Sequence, residues 1–187
     1  MRNILLTLPL LLLSAGFVLI TETFDNLSDI NNAALPDMSV TTGLSLVADS
    51  QGGKRGELAE DGQAFFHDSL PASLSFELEL ESGGRCSLRP GTRTGPQPSY
   101  VIAVFDTSSN PQGNPTPIQL AAGTRYEIFM TFGLDGSGQP QDDLYWRVAG
   151  TTTWNHQDID VPLSERSGLW EVQETNKSWM DNIELCP

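Results

Sequence analysis

The sequence predicts an all-β protein with little or no helix, its strands layered as a sandwich or closed as a barrel. Three observations carry this. Residues Leu74 to Glu81 alternate strictly: Leu74, Phe76, Leu78 and Leu80 point one way, Ser75, Glu77, Glu79 and Glu81 the other. A period of two is that of a strand with one buried and one wet face. About eleven short strand-like stretches recur at near-regular spacing between clusters of Gly, Pro, Asn and Asp. No stretch shows a convincing amphipathic helical period.

Taken in order, Met1-Arg2-Asn3 is a short basic start, and Ile4 to Ile20 is an uncharged apolar run. These are the first two regions of a secretory signal, and Ser14-Ala15-Gly16 places small residues before a cut after Gly16. The rival is an uncleaved anchor. The run has 17 residues, the lower limit for a span, and contains Pro9. Phe17 stands where a lipoprotein would need Cys. The expected organisation is therefore a signal over 1–16 and a single β-sandwich domain over 17–187. The mature chain is expected to be secreted, periplasmic or at the cell surface, without stable membrane insertion.

Thr21 to Asp25 reads as a first strand and Asn26 to Val40 as an irregular covering segment. Leu44 to Ala48 is a strand, and Asp49 to Arg55 is a turn around Gly52-Gly53. Two short strands follow, Gly56 to Leu58 and Ala64 to His67, split by the Asp61-Gly62 turn signal. Pro71 introduces the alternating strand, and Gly83-Gly84 turns the chain into Arg85 to Arg89. Pro90 to Ser99 can only be a loop. Tyr100 to Phe105 suits a strand buried on both faces, and the proline-rich Asp106 to Pro117 is a second loop. Tyr126 to Phe132, Leu144 to Val148, Leu169 to Val172 and Trp179 to Leu185 complete the strands, with Trp154 between the second and third of these.

The chain carries 10 Lys and Arg against 24 Asp and Glu, a net charge of −14. Such a field repels phosphate backbones and excludes nucleic acid as a partner. Cys86 and Cys186 form an even pair in an exported chain, which implies a disulfide; two unrelated thiols are the alternative.

The order of motifs resembles the concanavalin A-like (laminin G-like) jelly rolls of exported bacterial proteins. Thr23-Phe24-Asp25 opens the mature chain, Ala121-Ala122-Gly123-Thr124-Arg125-Tyr126 approaches a central strand, and Trp179-Met180-Asp181-Asn182-Ile183-Glu184-Leu185 closes it. Arg125 stands where that family usually has Trp. The resemblance implies two antiparallel sheets, adjacent termini and service as a carbohydrate-binding or accessory module. It also covers glucanases whose catalytic strand resembles Glu77 to Glu81, with Glu77 as nucleophile and Glu81 as acid/base; Glu79 replaces the usual Asp. Residues so spaced on one strand face lie roughly 13 Å apart along the backbone. A solvated strand face explains the same residues.

Carbohydrate binding rests on aromatics. Tyr145, Trp154, Trp170 and Trp179 can stack on the apolar faces of sugar rings, unless they are packing residues. Tyr145 and Arg147 share a face opposite Leu144, Trp146 and Val148. Trp154 is followed by Asn155 and His156, which can hydrogen-bond hydroxyls. Asp25 and Asp181 become neighbours if the terminal strands pair, and could then hold a structural calcium. Alternatively, Asp25 caps a turn and Asp181 accepts backbone N–H groups. His67 and His156 have no spaced partner for a zinc site or a triad, and Asp135 to Asp143 reads as a hairpin loop. The expected function is non-catalytic binding of an extracellular glycan or glycosylated surface. The alternatives are a structural or adhesive envelope protein without a small ligand, and a glycoside hydrolase using Glu77 and Glu81.

Overall fold

The computed structural model describes residues 19–27, 42–67, 69–91 and 100–186, with backbone alone over 170–174. The expected signal, most of the covering segment and most of the Pro90–Ser99 loop lie outside these residues, as does the side chain of Trp170. The strands are β1 (Ile20–Glu22), β2 (Thr42–Ala48), β3 (Lys54–His67), β4 (Ser73–Leu80), β5 (Arg85–Pro90), β6 (Ala103–Asp106), β7 (Ile118–Gln119), β8 (Tyr126–Thr131), β9 (Asp143–Val148), β10 (Asn155–Asp158), β11 (Leu169–Thr175) and β12 (Ser178–Cys186). One 3₁₀ turn, Leu163–Glu165, interrupts them.

β4 folds as its alternation demands. Leu74, Phe76, Leu78 and Leu80 are buried, and the residues between them are half-buried on the other face. Each such apolar side chain contributes about 1.5–3 kcal/mol relative to exposure. β4 is the middle of a first sheet that runs β10-β9-β8-β4-β12 and continues into the first half of β3, with β2 beyond it. A second sheet runs from the second half of β3 through β11, β5 and β6 to β7. Every pairing is antiparallel except β6 with β7. The inner faces meet in one apolar core; Phe66 and Phe76, one from each sheet, stack with centroids 6.0 Å apart. β1 pairs with the end of β12, so the first and last described strands are neighbours.

Four sequence expectations change here. Asp61-Gly62 does not close a hairpin: β3 runs unbroken from Lys54 to His67, with Asp61 at a φ of 57°. The halves of β3 find different partners, β12 and all of β2 but Thr42 before the bend and β11 after it, so the dipeptide carries one strand from one sheet into the other. The first strand stops at Glu22, because Phe24 turns inward at a φ of 59° and its N–H donates to the Glu22 carboxylate at 2.6 Å. β10 was not expected, since its residues are all polar and it lies at a sheet edge. Cys86 and Cys186 are not joined. Cys86 sits on β5 in the second sheet with its side chain in the core, whereas Cys186 ends β12 in the first sheet opposite Ser73.

Candidate binding cleft

The outer face of the first sheet carries a cleft of about 760 Å³ lined by Ser75, Phe76, Glu77, Glu127, Ile128, Phe129, Thr131, Asp143, Tyr145, Trp154 and Asn182. Strand register builds it in rows. The central row is Ser75, Phe129, Tyr145 and His156, one residue from each of β4, β8, β9 and β10. Phe129 and Tyr145 have centroids 6.0 Å apart, and Tyr145 and His156 stack at 4.7 Å. On one side lies a charged row of Asp181, Glu77, Glu127 and Arg147. On the other lie Ser73, Thr131, Asp143 and Asp158.

Trp154 stands just before β10 and is 39% exposed. Arg147 lies over its ring, 4.3 Å from the centroid, and its Nε donates to Glu127 at 2.6 Å. The other Glu127 oxygen accepts the Gly150 N–H at 3.1 Å. A planar indole has two faces, and Arg147 takes one. Of the four residues singled out from sequence, Tyr145 and Trp154 line the cleft, while His156 stacks on the first and Arg147 on the second.

Arg125 is held between two carboxylates. Its Nη2 donates to both oxygens of Asp49 at 2.7 and 2.8 Å, and its Nη1 reaches Glu77 at 3.2 Å. Burial pushes the Asp49 carboxyl up, but the Arg125 hydrogen bond, helped by the Gln51 N–H, outweighs it and holds the group below its ordinary value. Burial, followed by the charges of Asp143 and Asp158, raises the Tyr145 phenol above its usual value. Asp181 is pushed up to about 6, first by burial and then by the charges of Glu77, Asp25 and Asp49, against the Asn182 N–H that it accepts.

Glu81 follows the end of β4, is exposed, and does not line the cleft, so Glu77 and Glu81 do not face one substrate site. The carboxylates opposite Glu77 are Asp181 on β12 and Glu127 on β8. Asp25 accepts the Lys54 N–H at 3.0 Å. Gly53 permits this contact, because a Cβ there would stand 1.9 Å from the Asp25 oxygen, and its φ is +80°. Among the described residues, no third carboxylate or imidazole joins Asp25 and Asp181 within metal-ligand reach. Trp179 packs outside the cleft: its indole N–H donates to Glu57 at 2.9 Å, and Arg55 covers its ring at 4.7 Å.

Sequence reasoning missed Phe129, Asp143 and Asn182. The buried Ile128 and Met130 put Phe129 on the outer face by alternation alone. Nothing local points to Asn182, which sits at a φ of 48° where the β12 register shifts.

No protein-family model and no curated protein matches the chain. Solved structures resemble it in shape. The marine PL-14 alginate lyase from Aplysia kurodai superposes with a TM-score of 0.55 at 8% identity, over 89% of this chain and 98% of that one. The C-terminal CBM6 of LamC, a marine laminarinase from Zobellia galactanivorans, gives 0.41 at 10% identity over 91% and 100%. A carbohydrate-binding module from Cellvibrio mixtus lichenase 5A, in complex with cellotriose, gives 0.38 at 11% identity over 91% and 98%. The first likeness shows the fold alone, a β-sandwich; the other two are too distant to bear on the site.

Proposed function

We propose that this chain is an extracellular, non-catalytic carbohydrate-binding module of jelly-roll type that takes a neutral glycan in the cleft of its first sheet. The observation that supports the reading is the convergence of Phe129, Tyr145 and Trp154 beside carboxylate, amide and hydroxyl groups in one open cleft. Aromatic faces match the C–H faces of sugar rings, and Glu77, Asn182, Ser75 and Thr131 offer partners to hydroxyls. Neutrality follows from charge. The lining holds Glu77, Glu127 and Asp143, and the arginine at its edge, Arg147, is already paired with Glu127, which disfavours a polyanion such as alginate.

The test is retention on insoluble polysaccharides and a glycan array. Retention on a neutral polymer, reduced about tenfold or more in Tyr145→Ala, is the expected result. No retention on any glycan would favour the structural or adhesive envelope role. One observation favours a hydrolytic reading instead: Asp181, Glu77 and Glu127 form a cross-strand carboxylate row, and Asp181 titrates near 6. Reducing-end release from neutral glucans that vanishes in Glu77→Gln would replace binding with hydrolysis.

A further inference from the structure

β9 and β10 form the outer edge of the first sheet, and three metal-binding side chains meet on them beside the cleft. Asp143 and Asp158 are direct cross-strand partners. Like charges placed opposite each other destabilise an antiparallel pair. No Lys or Arg among the described residues forms an ion pair with either; their ion pairs are with His156. Its Nε2 lies 2.7 Å from an Asp143 oxygen and 3.4 Å from an Asp158 oxygen. One imidazole carries at most one positive charge against two carboxylates.

We propose that Asp143, His156 and Asp158 bind a divalent first-row cation of the zinc class. One donor atom from each residue lies within 4.8 Å of the other two. Ligands about 2.1 Å from a tetrahedral ion lie roughly 3.4 Å apart, so a rotamer adjustment closes the set. Asp158 is free to make it, with a side chain 76% exposed. An imidazole nitrogen with two carboxylate oxygens suits zinc or manganese better than calcium, which takes oxygen ligands. Three protein ligands leave a fourth position open to water.

The surroundings hold two of the ligands in place. Asp142, next to Asp143, is buried and accepts N–H groups of Gly133 and Val161 at 2.8 and 2.7 Å, while Arg166 reaches its two oxygens at 2.7 and 2.6 Å. Tyr145 stacks on the His156 ring and fixes its plane. Such second contacts orient metal ligands. A bound ion would fasten β10 to β9 and thereby place Trp154, which directly precedes β10.

The test uses the full chain stripped by a chelator, titrated with Zn²⁺, Mn²⁺ or Ca²⁺ alone in calorimetry and thermal unfolding. The expected result is one Zn²⁺ per chain and a midpoint raised by roughly 5–10 °C at saturation. His156→Ala and Asp158→Asn should each weaken binding about tenfold or more. Asp158 is exposed, so its variant keeps the fold and serves as the control. Absence of Zn²⁺ binding, wild-type affinity for Zn²⁺ in either variant, or tighter binding of Ca²⁺ than of Zn²⁺ would overturn the proposal. No glycan enters the assay, so its outcome is separate from that of the binding-module reading.

Discussion

The same trio of side chains occurs twice on the outer face of the first sheet. Trp154 lies under Arg147, which pairs with Glu127; Trp179 lies under Arg55, with Glu57 at its indole N–H. In the second trio the side chains are tied to one another and to their neighbours, with Arg55 Nε alone buried without a hydrogen-bond partner. The indole donates its proton, Lys177 also reaches Glu57 at 2.9 Å, and Arg55 pairs with Glu79 at 2.7 Å. In the first, the arginine is anchored but the indole stays exposed and lines the cleft. Residue types do not separate fastening from recognition; the open indole face at the cleft does.

The largest expected effect separates the two trios by stability. Trp179→Ala should cost about 2–4 kcal/mol in denaturant unfolding and leave glycan retention unchanged. Trp154→Ala should do the reverse, shifting stability by no more than about 0.5 kcal/mol while lowering retention about tenfold. If both variants lose stability equally, the comparison fails. A smaller effect tests the anchor. Arg147→Ala should weaken retention roughly threefold through loss of the cation–π contact, without unfolding the chain. Affinity electrophoresis in the retained polymer measures it.

The smallest effect is gated by pH. The folded pKa of Asp181, about 6, lies above its ordinary 3.8. The folded chain therefore holds this proton more firmly than the unfolded chain. Its stabilising contribution is complete below 3.8 and is lost as pH rises through about 6. Asp181→Asn mimics the protonated form, so it should raise the thermal midpoint by a few degrees near pH 7.5 and by nothing near pH 4. Added calcium sharpens the test. A midpoint gain in the wild type that disappears in this variant would place the ion at Asp181.

Legibility followed the range of the interaction. β4, β8, β9 and β12 were readable because their apolar residues alternate within one strand. β10 was not, because Asn155 to Asp158 has no apolar face to betray it. The bend at Asp61 was misread because the same turn dipeptide serves a hairpin or a bent strand, depending on which partners the flanking halves find. The pairing of Cys86 with Cys186 failed for a related reason: cysteine count carries no information about which sheet each residue joins. Tyr145 and Arg147 came from alternation along one strand, and Trp154 and His156 from one short aromatic and polar run, whereas Phe129, Asp143 and Asn182 belong to the cleft only through pairing with other strands.

The sequence by itself determined that strands form and which side of β4 is greasy, since pleating sends successive side chains to opposite faces whatever the neighbours are. Tertiary structure alone decided that Ser75, Phe129, Tyr145 and His156 share a row, and that Asp143 meets Asp158. Those meetings depend on register between separate strands, and a slip of one residue would turn every one of these side chains into the core.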